Sequence, residues 1–192
     1  MKNVIKLLLP ALAILLAYIT NAATKPNIIL IFTDDQGYND LGCFGSEKIK
    51  TPHLDRMAEE GMILKHFYAQ PVCGVSRAAL MTGSYPIRVA EPDNVKQLHT
   101  VPHPEEITMA ETLKTAGYAT ALIGKWHLDF QYQDPKTGKF IPRPSGDWRA
   151  RSAYRAPIGA TIPDGPTTRG FDYFHGNHDA GNQDTIIENG KV

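Results

Sequence analysis

The sequence predicts an α/β protein with a largely parallel central sheet flanked by helices. Three observations point there. Ile28 to Phe32 is a continuous apolar run without alternation, the pattern of a strand covered on both faces. Helical stripes with recognisable caps follow it. Apolar stretches recur between those helices, so strand and helix alternate along the chain.

In "PNIILIFTDDQG" the first strand runs through Ile28–Phe32 and ends at Thr33, Asp34, Asp35 and Gly37. "TPHLDRMAEEG" is the first helix. Thr51 suits the N-cap, Pro52 the first helical position and Gly61 the position after the end, with Leu54, Met57 and Ala58 as the apolar face. Met62–Ala69 alternates like a strand. "CGVSRAALMTG" starts a helix at or just after Cys73. Thr108 and Glu111 form a capping box, with Met109, Leu113 and Ala116 in a stripe and Gly117 as the stop. Tyr118–Ile123 is the next expected strand.

Beyond Asp129 the pattern changes. Residues 131–192 are rich in proline and glycine and carry no sustained period, which predicts long loops with one short element near "GFDYFHG". "IIENGKV" carries no closing strand or helix pattern. Three or so strands make a thin sheet, so the expectation is the front part of a larger catalytic domain.

The start of the chain reads differently. Lys2 and Lys6 precede the apolar run Leu7–Ile19, and small residues follow at Ala22 and Ala23. This is the layout of a secretory signal peptide over residues 1–23. The run is short for a bilayer span and holds Pro10, so no stable membrane anchor is expected. The mature chain, from residue 24, is expected to be exported to the periplasm or the medium. Twenty basic residues balance twenty acidic ones, so nothing global points to nucleic acid. The two cysteines, Cys43 and Cys73, could pair in an oxidising compartment.

Chemistry-bearing residues collect at element ends. Asp34 and Asp35 follow the first strand, and adjacent carboxylates are hard ligands for Ca²⁺ or Mg²⁺, although Asp and Gly equally favour a turn. Cys73 stands at a helix N-terminus with Arg77 one turn on, a place suited to an anion. Lys125 and His127 end the later strand in "GKWHLD". Two residues apart in extended backbone, they share one side, with Trp126 on the other. Together these groups form a metal-assisted site for an oxyanion ester.

These stretches resemble the N-terminal part of the type I sulfatases, of the arylsulfatase kind, within the alkaline-phosphatase-like superfamily. The likeness covers Pro26 to about Asp129, and "TRGFDYFHG" more loosely. It implies that a maturation enzyme oxidises Cys73 to formylglycine. One hydroxyl of the hydrated aldehyde attacks sulfur and displaces the alcohol; the other, deprotonated, expels sulfate. It also implies that Asp34 and Asp35, with the group at 73, ligate calcium, with magnesium as the alternative. Arg77 supports the hydrate, and Lys125 and His127 bind sulfate and the nucleophile. The implied substrate is a sulfated small molecule or sulfated glycan. Val75 stands where the family motif has Pro or Ala, the position the maturation enzyme reads, and Ser84 follows Gly83 where the motif has Arg. A phosphonate or phosphate ester hydrolase of the same superfamily is the runner-up. An inactive exported fragment with Cys43 and Cys73 paired is the non-enzymatic alternative. Because Ca²⁺ takes about six to eight oxygens, Asp34, Asp35 and the group at 73 leave its shell incomplete. The 192-residue chain alone is therefore expected to turn over aryl sulfates poorly.

Overall fold

The structure is a computed structural model describing residues 25–89, 103–128, 130–142, 155–178 and 185–192. The expected signal peptide lies outside the described residues. The chain divides into two compact units, Met1–Gly61 and Met62–Val192.

In the first unit, helix α1 spans Pro52–Glu60, with Thr51 as N-cap and proline in the first turn as expected. Thr51 does not cap through its side chain. Its hydroxyl donates to Asp55 Oδ1 at 3.0 Å and accepts the Gly42 N–H at 2.8 Å. Asp55 Oδ1 also accepts the Cys43 N–H at 2.7 Å. The loop at Gly42–Phe44 is thereby tied to the helix, and a Cβ at position 42 would overlap the Asp55 carboxylate. Gly61 ends the helix at φ −122°, outside the left-handed region.

The expected first strand is absent. Ile28–Phe32 belongs to no strand, and Ile29 and Ile31 are 86% and 68% exposed. A strand covered on both faces needs sheet neighbours, and among the described residues only two ladders form. Met62–Ala69 likewise forms no strand, and Met62, Leu64 and Phe67 are exposed. Alternation sets which way side chains point but does not supply a hydrogen-bonding partner.

In the second unit, α2 spans Cys73–Thr82, α3 Pro86–Val89 and α4 Met109–Thr115. The Thr108–Glu111 capping box forms in both directions: Glu111 N–H donates to Thr108 Oγ1 at 3.1 Å, and Thr108 N–H to Glu111 Oε2 at 2.7 Å. The other end of α4 closes as a Schellman motif. Gly117 N–H donates to Lys114 O and Tyr118 N–H to Leu113 O, with Gly117 at φ 78°. Of the expected stripe, Met109 packs partly buried against the core and Leu113 is half-buried, whereas Ala116 is exposed; Ala110 is the fully buried residue of this helix.

Strands β1 (Ala121–Lys125), β2 (Tyr173–Asn177) and β3 (Ile187–Glu188) form one sheet in that order. β1 and β2 are parallel, pairing Lys125 with Asn177, and β2 and β3 are antiparallel. The sheet is thus mixed rather than largely parallel. β1 begins later than the expected Tyr118, and β3 occupies the tail that carried no strand pattern.

The largest departure is the core. The loop-rich region supplies Phe130, Tyr132, Ala160, Ile162, Phe171, Phe174 and Ile187, all buried in one cluster with Ala78, Met81, Ala110 and Trp126. Bridges between distant residues hold it, Gln133 to both Phe140 and Thr161, and Thr161 to Lys191. Such pairing is non-local and leaves no period in the sequence.

Candidate active site

The site is built where the start of α2 meets the end of β1. Ala78, Ala79, Leu80 and Met81 are good helix formers, and Gly83 in the left-handed region at φ 66° stops the helix. Ala78 and Met81 anchor α2 in the core. Its N-terminus is capped by Val72 without a side-chain bond, so Cys73 opens the first turn. Ser76 steadies that turn by donating to Gln70 O at 3.0 Å.

Arg77 lies one turn beyond Cys73 and is only 9% exposed. Its Nη1 donates to the main-chain carbonyl of Lys125 at 2.6 Å. The helix that carries Cys73 is therefore joined to the strand that carries Lys125. Burial of so long a side chain against a backbone acceptor also sets Arg77 apart from an ordinary solvated helix residue.

At the other side of the junction β1 stops at Lys125, and Trp126 turns into the core at 3% exposure, edge-on to Phe171. His127 does not continue the extended backbone that would place it on the side of Lys125. Its φ is 54°, in the left-handed region uncommon for residues other than glycine. That turn carries its ring to Cys73: Nδ1 lies 3.1 Å from Cys73 Sγ. Either atom carries the shared proton, according to the imidazole tautomer. Both cysteines are free thiols.

A further histidine, which the sequence pattern leaves as a loop residue without a role, stands beside His127. His178 is 6% exposed and lies just past β2. Its ring stands at 87° to that of His127, with centroids 6.1 Å apart. The available signal was its place in "FHGNHD", at the carboxyl end of a strand, where sites of parallel sheets collect. His175, its neighbour in the sequence, is exposed on β2.

Asp34 and Asp35 lie in the first unit and are exposed. Two adjacent carboxylates suit a hard divalent cation in donor type. Among the described residues, no group of three or more His, Cys, Asp or Glu is placed to hold a metal ion, so the donors fit in kind and not in number. No helix among the described residues is long and apolar enough to cross a membrane.

Comparison with known proteins places this geometry in context. The family model described as Sulfatase matches residues 26–189. The chain is 50% identical over 115 residues to steryl-sulfatase of Mus musculus, a match that covers 56% of this chain and 18% of that protein. It is 44% identical over 126 residues to N-acetylgalactosamine-6-sulfatase of Sus scrofa, covering 60% of this chain and 24% of that protein. Among solved structures, a 6S-sulfatase chain from work on glycosaminoglycan metabolism by Bacteroides thetaiotaomicron superposes with a TM-score of 0.62 at 33% identity. That match covers 88% of this chain and 32% of the other. The chain thus spans less than a third of the length of these relatives.

Proposed function

The chain belongs to the sulfatase family, and from that premise we propose that it carries the nucleophile half of a sulfate-ester hydrolase, with Cys73 as the residue converted to formylglycine. The observation that carries the reading is the 3.1 Å approach of His127 Nδ1 to Cys73 Sγ, between a helix start and a strand end. The sulfur stands in for the aldehyde-hydrate oxygens, which would project from the same β-carbon. Formylglycine would supply a hydroxyl nucleophile for sulfur and a second hydroxyl whose deprotonation releases sulfate.

The chain's own residues do the rest. His127 holds or moves a proton at position 73. Lys125 brings a point charge to a sulfate oxygen. Arg77 fixes the end of β1 through the Lys125 carbonyl and keeps both in register with α2. Asp34 and Asp35 are the residues that would hold Ca²⁺, or Mg²⁺, whose charge would offset that of the sulfate.

The substrate class is a sulfated small molecule or sulfated glycan, in keeping with relatives named for steryl and N-acetylgalactosamine-6-sulfate groups. The partner is a formylglycine-generating maturation enzyme, which must accept Val75. The expected compartment is the periplasm or the medium.

The test is paired turnover of an aryl sulfate and an aryl phosphonate by the chain matured with that enzyme, with added Ca²⁺ and with Cys73→Ala beside it. Sulfate cleavage should exceed phosphonate cleavage and vanish in the variant. The comparison is a ratio, so a slow absolute rate does not blur it. Preferential phosphonate cleavage would move the protein to the phosphonate branch of the superfamily. Turnover that survives Cys73→Ala would remove Cys73 from its role.

A further inference from the structure

We propose that His178 is a positioning residue for His127, acting through its ring. The inference rests on the reading of His127 as the proton-handling group at position 73, and it explains how that group is held in place.

A histidine with φ of 54° occupies the left-handed conformation, which residues other than glycine rarely adopt. It persists only where the surroundings determine it. Two layers of contact do so here. The first is backbone. Past the end of β1 two main-chain bonds still tie the two segments together, Trp126 N–H donating to Asn177 O at 3.0 Å and His127 N–H to His178 O at 2.7 Å. The second is the side chain. The His178 ring meets the His127 ring at 87° and 6.1 Å, and is itself braced edge-to-face by Phe130 at 4.9 Å and 82°. Phe130 stands in turn against Tyr132 at 5.3 Å. Tyr132, Phe130 and His178 are 2%, 3% and 6% exposed, so this row is part of the core. It ends on a half-buried His127 whose Nδ1 faces Cys73.

The two layers are separable. The backbone bond at residue 178 is accepted by its main-chain carbonyl and does not depend on the side chain there, whereas the ring contact does. Backbone pairing fixes where the His127 Cα lies. The perpendicular ring then restricts how the imidazole turns about its side-chain torsions. Aromatic pairs of this geometry are a stabilising arrangement beyond their buried area. Catalytic groups held by packed neighbours keep the sub-ångström placement that proton transfer needs. A phenylalanine ring at 178 keeps the edge-to-face contact that this proposal invokes.

The experiment uses the full 192-residue chain with ¹⁵N-labelled histidine and long-range imidazole correlation spectra. His127→Ala identifies the His127 signals. In His178→Ala, the His127 signals should move to the shifts of a freely rotating histidine while the circular-dichroism spectrum stays native. In His178→Phe they should stay at their wild-type positions. Wild-type signals in folded His178→Ala would overturn the proposal, as would displaced signals in folded His178→Phe. In the matured protein, His178→Ala should lower kcat by roughly 10–100-fold, the scale of a small misplacement, with KM little changed and kcat restored in His178→Phe. The spectra do not depend on sulfatase activity. If they behave as expected while His127→Ala leaves turnover intact, the positioning stands and the role given to His127 falls.

Discussion

Arg77 Nη1 donates to the carbonyl oxygen of Lys125 at 2.6 Å, and this bond helps join the start of α2 to the end of β1. A lysine at position 77 lacks the planar fork that reaches a backbone acceptor from a packed helix. Arg77→Ala removes a charged donor from a part-buried carbonyl and leaves space at a site 9% exposed. It should lower unfolding stability by about 1–3 kcal/mol, with Arg77→Lys recovering little of it. Denaturant titration of the three proteins checks this; coincident midpoints would mean that the bond does not contribute.

Gly176 pairs with Gly124 across the parallel ladder, and a Cβ at 176 would overlap the Gly124 backbone. Because the obstacle is main chain, no rotamer change relieves it. Gly176→Ala should force β1 and β2 apart at the position just before Lys125. The expected loss is about 1–3 kcal/mol or more, read as a lower thermal midpoint and a smaller soluble yield. An unchanged midpoint would show that the two strands are not this close.

Thr108 is 1% exposed, and its hydroxyl both accepts the Glu111 N–H and donates to Arg169 O at 2.8 Å. Thr108→Ala should cost about 1–2 kcal/mol, at or above an ordinary cap loss. For a chain of this size that is a thermal shift of roughly 2–8 °C. Thr108→Ser, which keeps the hydroxyl, should recover most of it. Equal losses in both variants would assign the effect to the methyl group.

Acid sensitivity should be traceable to Asp172. Its carboxyl is held below the ordinary value of 3.8, first by the hydrogen bond from Lys114 and then by the Thr120 N–H. A group depressed in the folded state adds stability above its unfolded value and loses it as pH falls through the lower folded value. The loss therefore begins near pH 4 and continues below it. Asp172→Asn should flatten the acid side of a plot of thermal midpoint against pH. Both partners are substantially exposed, so the effect should be small and should shrink in high salt. A variant curve parallel to wild type throughout would exclude the contribution.

Sequence signals hold in the structure where the physics is local. The capping box at Thr108, the glycine stop at Gly117 and the helix beginning at Cys73 each depend on residues within one turn. Cys73 and Arg77 fall one turn apart on that helix, as their spacing predicts. The Cys73–His127 contact spans 54 positions and depends on a left-handed turn at a histidine, which strand periodicity does not encode. His178 is held by Phe130, 48 positions away, within a stretch that reads as loop. The core residues Phe130, Tyr132 and Ile162 sit among prolines and glycines, and isolated bridges rather than strands bury them. Ile28–Phe32 shows the reverse case: an apolar run states a preference for burial, and it becomes a strand only where a neighbour pairs with it.

The central claim is that Cys73 is the residue turned into the nucleophile, and the mass of the peptide that contains it tests this most directly. The chain is co-produced with a formylglycine-generating enzyme, exported, digested without reduction and analysed by mass spectrometry. The expected result is the aldehyde at position 73, with Cys43 retained as a thiol, and loss of the aldehyde mass when the maturation enzyme is withheld. A peptide in which Cys73 is disulfide-linked to Cys43, or remains an unmodified thiol beside an active maturation enzyme, would contradict the account.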